Sequence, residues 1–256
     1  MKLAIIGGSL FTNLDALSQV VEEKIKTPFG STSANIITGK LDDFDIVYLN
    51  RHGVNHQIAP HQINYKANMF ALKLLNVTHV ISIAAVGGIT DKMSPMKCVL
   101  ADQLIDYSYG RLQTYNDGSD NEVNHIDFTY PFDAFLRNKI KHAAIKASID
   151  CLTEATYGVT QGPRLETIAE INKMQQDGCD IVGMTAMPEA ALARELEMGY
   201  ANLSLVVNWA AGAGSSGINT ENQVTEVISM DEIKQRISDG NKIIEAIISN
   251  TVSLLI

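Results

Sequence analysis

The chain opens Met1-Lys2-Leu3-Ala4-Ile5-Ile6-Gly7-Gly8-Ser9-Leu10. Leu3–Ile6 is apolar at every position and stops at a pair of glycines, which is how a strand covered on both faces reads. The same grammar recurs at Ile46–Leu49, His79–Ala84, Cys98–Leu104, Ala155–Thr160, Asp180–Met184 and Leu203–Val207. Between these runs lie helical stripes. Ile63, Ala67, Phe70, Ala71, Leu74 and Leu75 form one; Phe132, Leu136, Ile140, Ala143 and Ala147 form another, with Pro131 at the expected first helical position. A third begins near Ser229, where Glu232 completes a capping-box pattern, and carries Ile233, Ile237, Ile244, Ile247 and Ile248 as core. Strands alternating with helices predict an α/β fold with a central sheet flanked by helices.

Composition narrows the function classes. With 46% hydrophobic and 19% charged residues the 256-residue chain is that of an ordinary globular protein. Its net charge of −9 repels polyanions, so nucleic acid and anionic membrane are not expected partners. Cys98, Cys151 and Cys179 have no CxxC spacing and read as small buried hydrophobes in a reducing compartment. No stretch approaches signal-peptide or membrane-span length, and a cytoplasmic location is expected. The glycine-rich Gly212–Gly217 suits a mobile loop, either a plain connection or a lid.

The chemistry-bearing side chains gather where strands end. Gly7-Gly8-Ser9 offers main-chain N–H groups and a hydroxyl to an anion, yet it is neither GxGxxG nor a Walker loop. Asn50-Arg51-His52-Gly53 places a guanidinium and an imidazole at the carboxyl edge of the sheet. Arg51 there either holds phosphate oxygens with both prongs of its fork or sits in an ion pair. Ala84-Ala85-Val86-Gly87-Gly88 repeats the small-residue pattern at a third strand end. His52, His56 and His61 lack the spacing of a metal site, and neither paired glycosidase carboxylates nor a GxSxG elbow is present. These features suit a phosphate-using enzyme, while a dinucleotide-dependent dehydrogenase is disfavoured by the missing GxGxxG.

Two linked blocks are more specific: Gln161-Gly162-Pro163-Arg164-Leu165-Glu166-Thr167 and Asp180-Ile181-Val182-Gly183-Met184-Thr185-Ala186-Met187-Pro188-Glu189-Ala190. Glu166 can accept from a base N–H or merely charge a helix start. Met184 offers an adaptable apolar surface, and Thr185 a hydroxyl beside a helix. Together with IIGGS, NRHG, HQINYKAN, AVGG and DQLIDYSYGR, in this order over nearly the whole chain, they resemble the trimeric purine nucleoside phosphorylase and methylthioadenosine phosphorylase family. Within it the likeness runs furthest toward the bacterial S-methyl-5'-thioinosine phosphorylases.

That resemblance implies one domain over residues 1–256, with a mixed, partly barrel-like sheet. It implies phosphorolysis of a purine nucleoside, S-methyl-5'-thioinosine foremost, with inorganic phosphate as co-substrate and no cofactor or metal, by a homotrimer or a dimer of trimers. A general inosine/guanosine phosphorylase, a methylthioadenosine phosphorylase and a non-catalytic nucleoside-binding protein are the alternatives, the last opposed by the retained Arg51, His52 and Thr185. Ser9, Arg51, His52, Ala85 through its main chain, and Thr185 would form the phosphate site. Met184 would pack on the sugar, Glu166 and Asn208 would hold the base, and Trp209, Ala210 and His125 would complete the nucleoside site, His125 reaching a neighbouring subunit's 5' pocket. Asn208 and His52 would act in catalysis, Asn208 by donating to N7 as negative charge builds on the leaving purine. Adenine-specific relatives carry acids where Asn208 and Ala210 stand and a Ser where Glu166 stands, so a 6-oxopurine is implied. Ala84 departs from the family pattern of Asn or Thr, which removes one donor beside phosphate.

Overall fold

The computed structural model describes residues 1–11, 15–116, 118, 123–214 and 228–256. Its first half contains strands β1 (Leu3–Gly7) and β2 (Ser18–Glu23), a small ribbon of β3 (Lys26–Thr27) and β4 (Gly30–Ser31), then β5 (Ile36–Leu41), β6 (Phe44–Asn50) and β7 (His79–Gly88). The second half adds β8 (Cys98–Leu100), β9 (Gln103–Asp106), β10 (Cys151–Leu152), β11 (Thr156–Val159), β12 (Ile181–Gly183) and β13 (Gly199–Trp209). The α-helices are α1 (Tyr65–Leu74), α2 (Ala134–Lys146), α3 (Ile168–Gln176), α4 (Ala186–Glu195) and α5 (Met230–Ser253).

Apart from the ribbon, every strand joins one mixed sheet whose main path runs β10-β8-β13-β7-β1-β6-β5-β2. β6, β1, β7 and β13 are mutually parallel, so Gly7, Asn50, Gly88 and Trp209 arrive at one edge of the sheet. The far end of β7 also pairs antiparallel with β12, through Ile181–Gly88 and Val182–Gly87, and a second branch continues through β11 to β9. β7 thereby sends the sheet in two directions and brings the strand ends of both branches together.

Alternation along β1 explains why the sheet is buried on both faces. Ala4 and Ile6 pack with Met69, Leu72 and Ala190 of α1 and α4, whereas Leu3 and Ile5 pack with Leu136, Ile140, Ile244 and Ile248 of α2 and α5. No helix among the described residues is long and apolar enough to cross a membrane.

Three local expectations are corrected, and one strand is added. Helix α2 starts at Ala134, not at Pro131, because the Asp133 side chain accepts from Leu136 N at 2.6 Å and makes residue 133 the cap. The Cys98–Leu104 run divides into β8 and β9, with Asp102 turned to accept from Ala155 N. At α5 only half the capping box forms: Ser229 accepts from Glu232 N, while the Glu232 carboxylate pairs with Arg236. β2, an edge strand exposed along its whole length, had no apolar run to announce it. Of the glycine-rich stretch, Gly212–Gly214 is described, and residues 215–217 lie outside the described residues.

Candidate active site

The gathered strand ends enclose a cavity of about 440 Å³, within the range that holds small organic ligands. Ser9, Arg51, His52, Ala84, Ala85, Glu166, Met184, Thr185, Asn208 and Ala210 all line it, though they come from six separate segments of the chain.

At one end, Gly8 lets the backbone lie against two functional side chains. A Cβ on Gly8 would stand 3.1 Å from Arg51 Nη1 and 3.4 Å from His52 Cδ2. Arg51 is buried, and its fork is already engaged: Nε and Nη2 donate to the two carboxylate oxygens of Glu189 at 2.7 and 2.9 Å. Nη2 also donates to Ser82 Oγ and Nη1 to Ile83 O. Four of the five N–H groups are therefore committed, and one on Nη1 remains. The expectation that Arg51 grips an anion with both prongs is corrected, because the fork grips Glu189; a single N–H can reach a ligand. Glu189 is fully buried and also accepts from Ser82 and Tyr200. It lay unremarked in the Met187-Pro188-Glu189-Ala190 stretch, where an acid near a helix start looks ordinary.

His52 is nearly buried, and its Nδ1 lies 2.8 Å from Ile58 O. Burial above all, then the charge of Arg51, pushes its pKa down to about 4, with His56 adding to the effect and the Ile58 bond opposing it. The ring is neutral at physiological pH.

The other polar side chains of the lining are Glu166 and Asn208. Glu166 is half-buried and accepts from Thr160 Oγ1 through Oε1 at 2.6 Å, which leaves Oε2 for a ligand. Asn208 sits at a register shift of β13, and its Nδ2 donates to Trp209 O at 2.6 Å. One amide N–H therefore remains. Met184 fits against Gly162, whose positive φ of 62° and missing side chain admit the sulfur: a Cβ there would meet Sδ at 2.5 Å.

Three apolar residues of α5, Met230, Ile233 and Ile237, form a further wall. The last two belong to the stripe read as core, and helical periodicity does not distinguish a core face from a cavity face.

Arg111, quoted only as the end of a motif, organises the site. Buried, it donates to Met184 O at 2.8 Å, Met187 O at 2.6 Å, Thr160 O at 3.0 Å, Gln161 O at 2.8 Å, Gln161 Oε1 at 3.1 Å and Tyr65 Oη at 3.3 Å. Every acceptor is uncharged. The guanidinium laces the segment leading to Glu166 onto the segment carrying Met184 and Thr185.

Two expected residues stand apart. Trp209 is not in the lining, and its indole instead covers Gly214, where a Cβ would come within 2.6 Å of the ring. His125 is exposed and outside this chain's own cavity.

Residues 2–249 match the family model described as the Phosphorylase superfamily. A probable S-methyl-5'-thioinosine phosphorylase of Xanthomonas campestris pv. campestris is 45% identical over 229 residues, covering 90% of each chain. A probable 6-oxopurine nucleoside phosphorylase of Thermococcus kodakarensis is 40% identical, over 91% of this chain and 89% of that one. Among solved structures, a methylthioadenosine phosphorylase sourced from an Antarctic soil metagenomic library is similar with a TM-score of 0.88 and 33% identity, covering 99% of this chain and 85% of that one.

Proposed function

The chain belongs to the phosphorylase superfamily, and we propose that it is a purine nucleoside phosphorylase that prefers S-methyl-5'-thioinosine, releasing hypoxanthine and methylthioribose 1-phosphate. The observation that supports this reading is that one cavity is lined by Ser9, Arg51, His52 and Thr185 together with Glu166 and Asn208.

Phosphate is met by the Ser9 and Thr185 hydroxyls, the Ala85 main chain, His52 and the remaining Arg51 N–H. As the glycosidic bond stretches, positive charge develops on the sugar and negative charge on the purine. Phosphate faces the first and captures C1'; the free Asn208 N–H stabilises the second at N7. The open Glu166 oxygen accepts from N1–H of a 6-oxopurine, whereas N1 of adenine would present it with a lone pair. Met230, Ile233 and Ile237 suit a methylthio group better than a hydroxyl, since burying a hydroxyl without a partner is unfavourable. Exposed His125 would complete the 5' pocket of a neighbouring subunit in a homotrimer, and the enzyme would act in the cytoplasm without metal or cofactor.

The test is turnover of methylthioinosine, methylthioadenosine, inosine and guanosine with and without phosphate, in EDTA. Methylthioinosine should be cleaved fastest, only with phosphate or arsenate, by a protein that sediments as three chains. Equal cleavage in phosphate-free buffer would mean a hydrolase.

A further inference from the structure

His52 has a polarity that its place beside an anion does not explain. Ile58 O can only accept, so Nδ1 carries the ring hydrogen. In a neutral ring Nε2 is then a bare lone pair, and the Nδ1 contact is the ring's only hydrogen bond among the described residues. The Cδ2–Nε2 edge of the ring faces the glycine turn: a Cβ on Gly8 would stand 3.8 Å from Nε2. An acceptor thus lies at the cavity end that also holds the Arg51 guanidinium and the Ser9 hydroxyl.

The surroundings keep it an acceptor. Arg51 lies next to the ring, its charge paired with Glu189, and the tilted ring of His56 lies 4.4 Å away with its own pKa lowered by burial and by Arg51. No carboxylate stands among the groups acting on the ring. A fully deprotonated oxyanion would set lone pair against lone pair there, whereas hydrogen phosphate carries one P–OH that can donate.

We propose that His52 reads the proton on the incoming oxyanion: Nε2 accepts from the P–OH of hydrogen phosphate, so the site favours tetrahedral oxyanions that bring a hydrogen over those, such as sulfate, that have none. This rests on the cavity's glycine-turn end being the phosphate site. The proton balance is explicit. Hydrogen phosphate binds without net proton exchange, and sulfate binds with a proton taken from solvent onto Nε2.

Calorimetry of the wild-type protein with each ion near neutral pH, in two buffers of different ionisation heat, counts those protons; competition between the ions in turnover assigns the heat to this site. Sulfate should take up close to one proton per site and weaken about tenfold for each pH unit raised. Phosphate should take up none once its own ionisation is subtracted. In His52→Gln the amide can turn an N–H toward either ion, so sulfate binding should become proton-free and independent of pH. Should that variant not fold, the wild-type proton counts alone decide. Phosphate-dependent cleavage together with proton-free sulfate binding overturns the inference and leaves the phosphorylase reading intact. Phosphate that neither binds nor supports cleavage overturns both.

Discussion

The two ends of the cavity are held by two buried arginines in opposite ways. At the end proposed for phosphate Arg51 is gripped by a carboxylate, that of Glu189, which Ser82 and Tyr200 hold in turn. Toward the end proposed for the base Arg111 meets only carbonyl, amide and phenol oxygens. A cation facing a carboxylate is held by charge, and the arrangement fails when the charge goes. One facing carbonyls is held by the shape of its fork, and fails when the fork goes. The phosphate end is accordingly anchored to the sheet, while the base end depends on a lacing of two chain segments.

Removing Glu189 should have the largest effect. Glu189→Ala leaves a buried guanidinium without a counter-charge, and urea denaturation should register a loss of about 3–5 kcal/mol. Replacing both members, Arg51→Met with Glu189→Met, removes both buried charges. It should recover most of that stability while phosphate affinity stays weak, because the last Arg51 N–H is gone. A loss below about 1 kcal/mol in the single variant would show that charge pairing does not hold Arg51.

Arg111→Met tests the lacing. Methionine fills space but donates nothing, so the Thr160–Gln161 and Met184–Met187 segments are free to separate. A displacement of about 1 Å can lower turnover roughly 100-fold, and kcat/KM should fall by about that factor. The nucleoside KM should rise more than the phosphate KM, since Ser9 and Arg51 stay anchored at strand ends. Arg111→Lys, with three donors instead of five, should fall between. Equal rises in both KM values would erase the distinction between the two ends.

The same contrast separates what was legible in the sequence from what was not. Strand ends were legible because an apolar run stopped by Gly7, Asn50 or Gly87 is a local pattern, and Ser9, Arg51, His52 and Ala85 came with it. The grip on Arg51 was not, because Glu189 lies 138 positions away and looks like any acid at a helix start. Arg111 gave no signal, since its six partners are mostly main-chain oxygens, which every residue has. Ile233 and Ile237 kept the period of a core stripe although one side of that stripe faces the cavity. Glu166 and Asn208 were reached through the family resemblance; their commitments to Thr160 and Trp209 are three-dimensional facts.

Asn208→Asp probes base reading alone and should give the smallest of these effects. One Asn208 N–H is bound to Trp209 O at 2.6 Å, and the other is the one proposed to meet the purine. A carboxylate supplies neither bond: it would be repelled by the Trp209 carbonyl and by O6 of a 6-oxopurine, while it can accept from the exocyclic amine of adenine. N7 then needs a protonated partner, so activity should fall on both bases. Glu166 still opposes adenine at N1, which limits the exchange of preference. The ratio of kcat/KM for 6-amino over 6-oxo nucleosides should rise by about tenfold, roughly 1.4 kcal/mol of differential transition-state binding. Measured with methylthioadenosine and methylthioinosine, an unchanged ratio alongside a uniform loss would make the Trp209 bond Asn208's whole role, and base selection would then rest on Glu166.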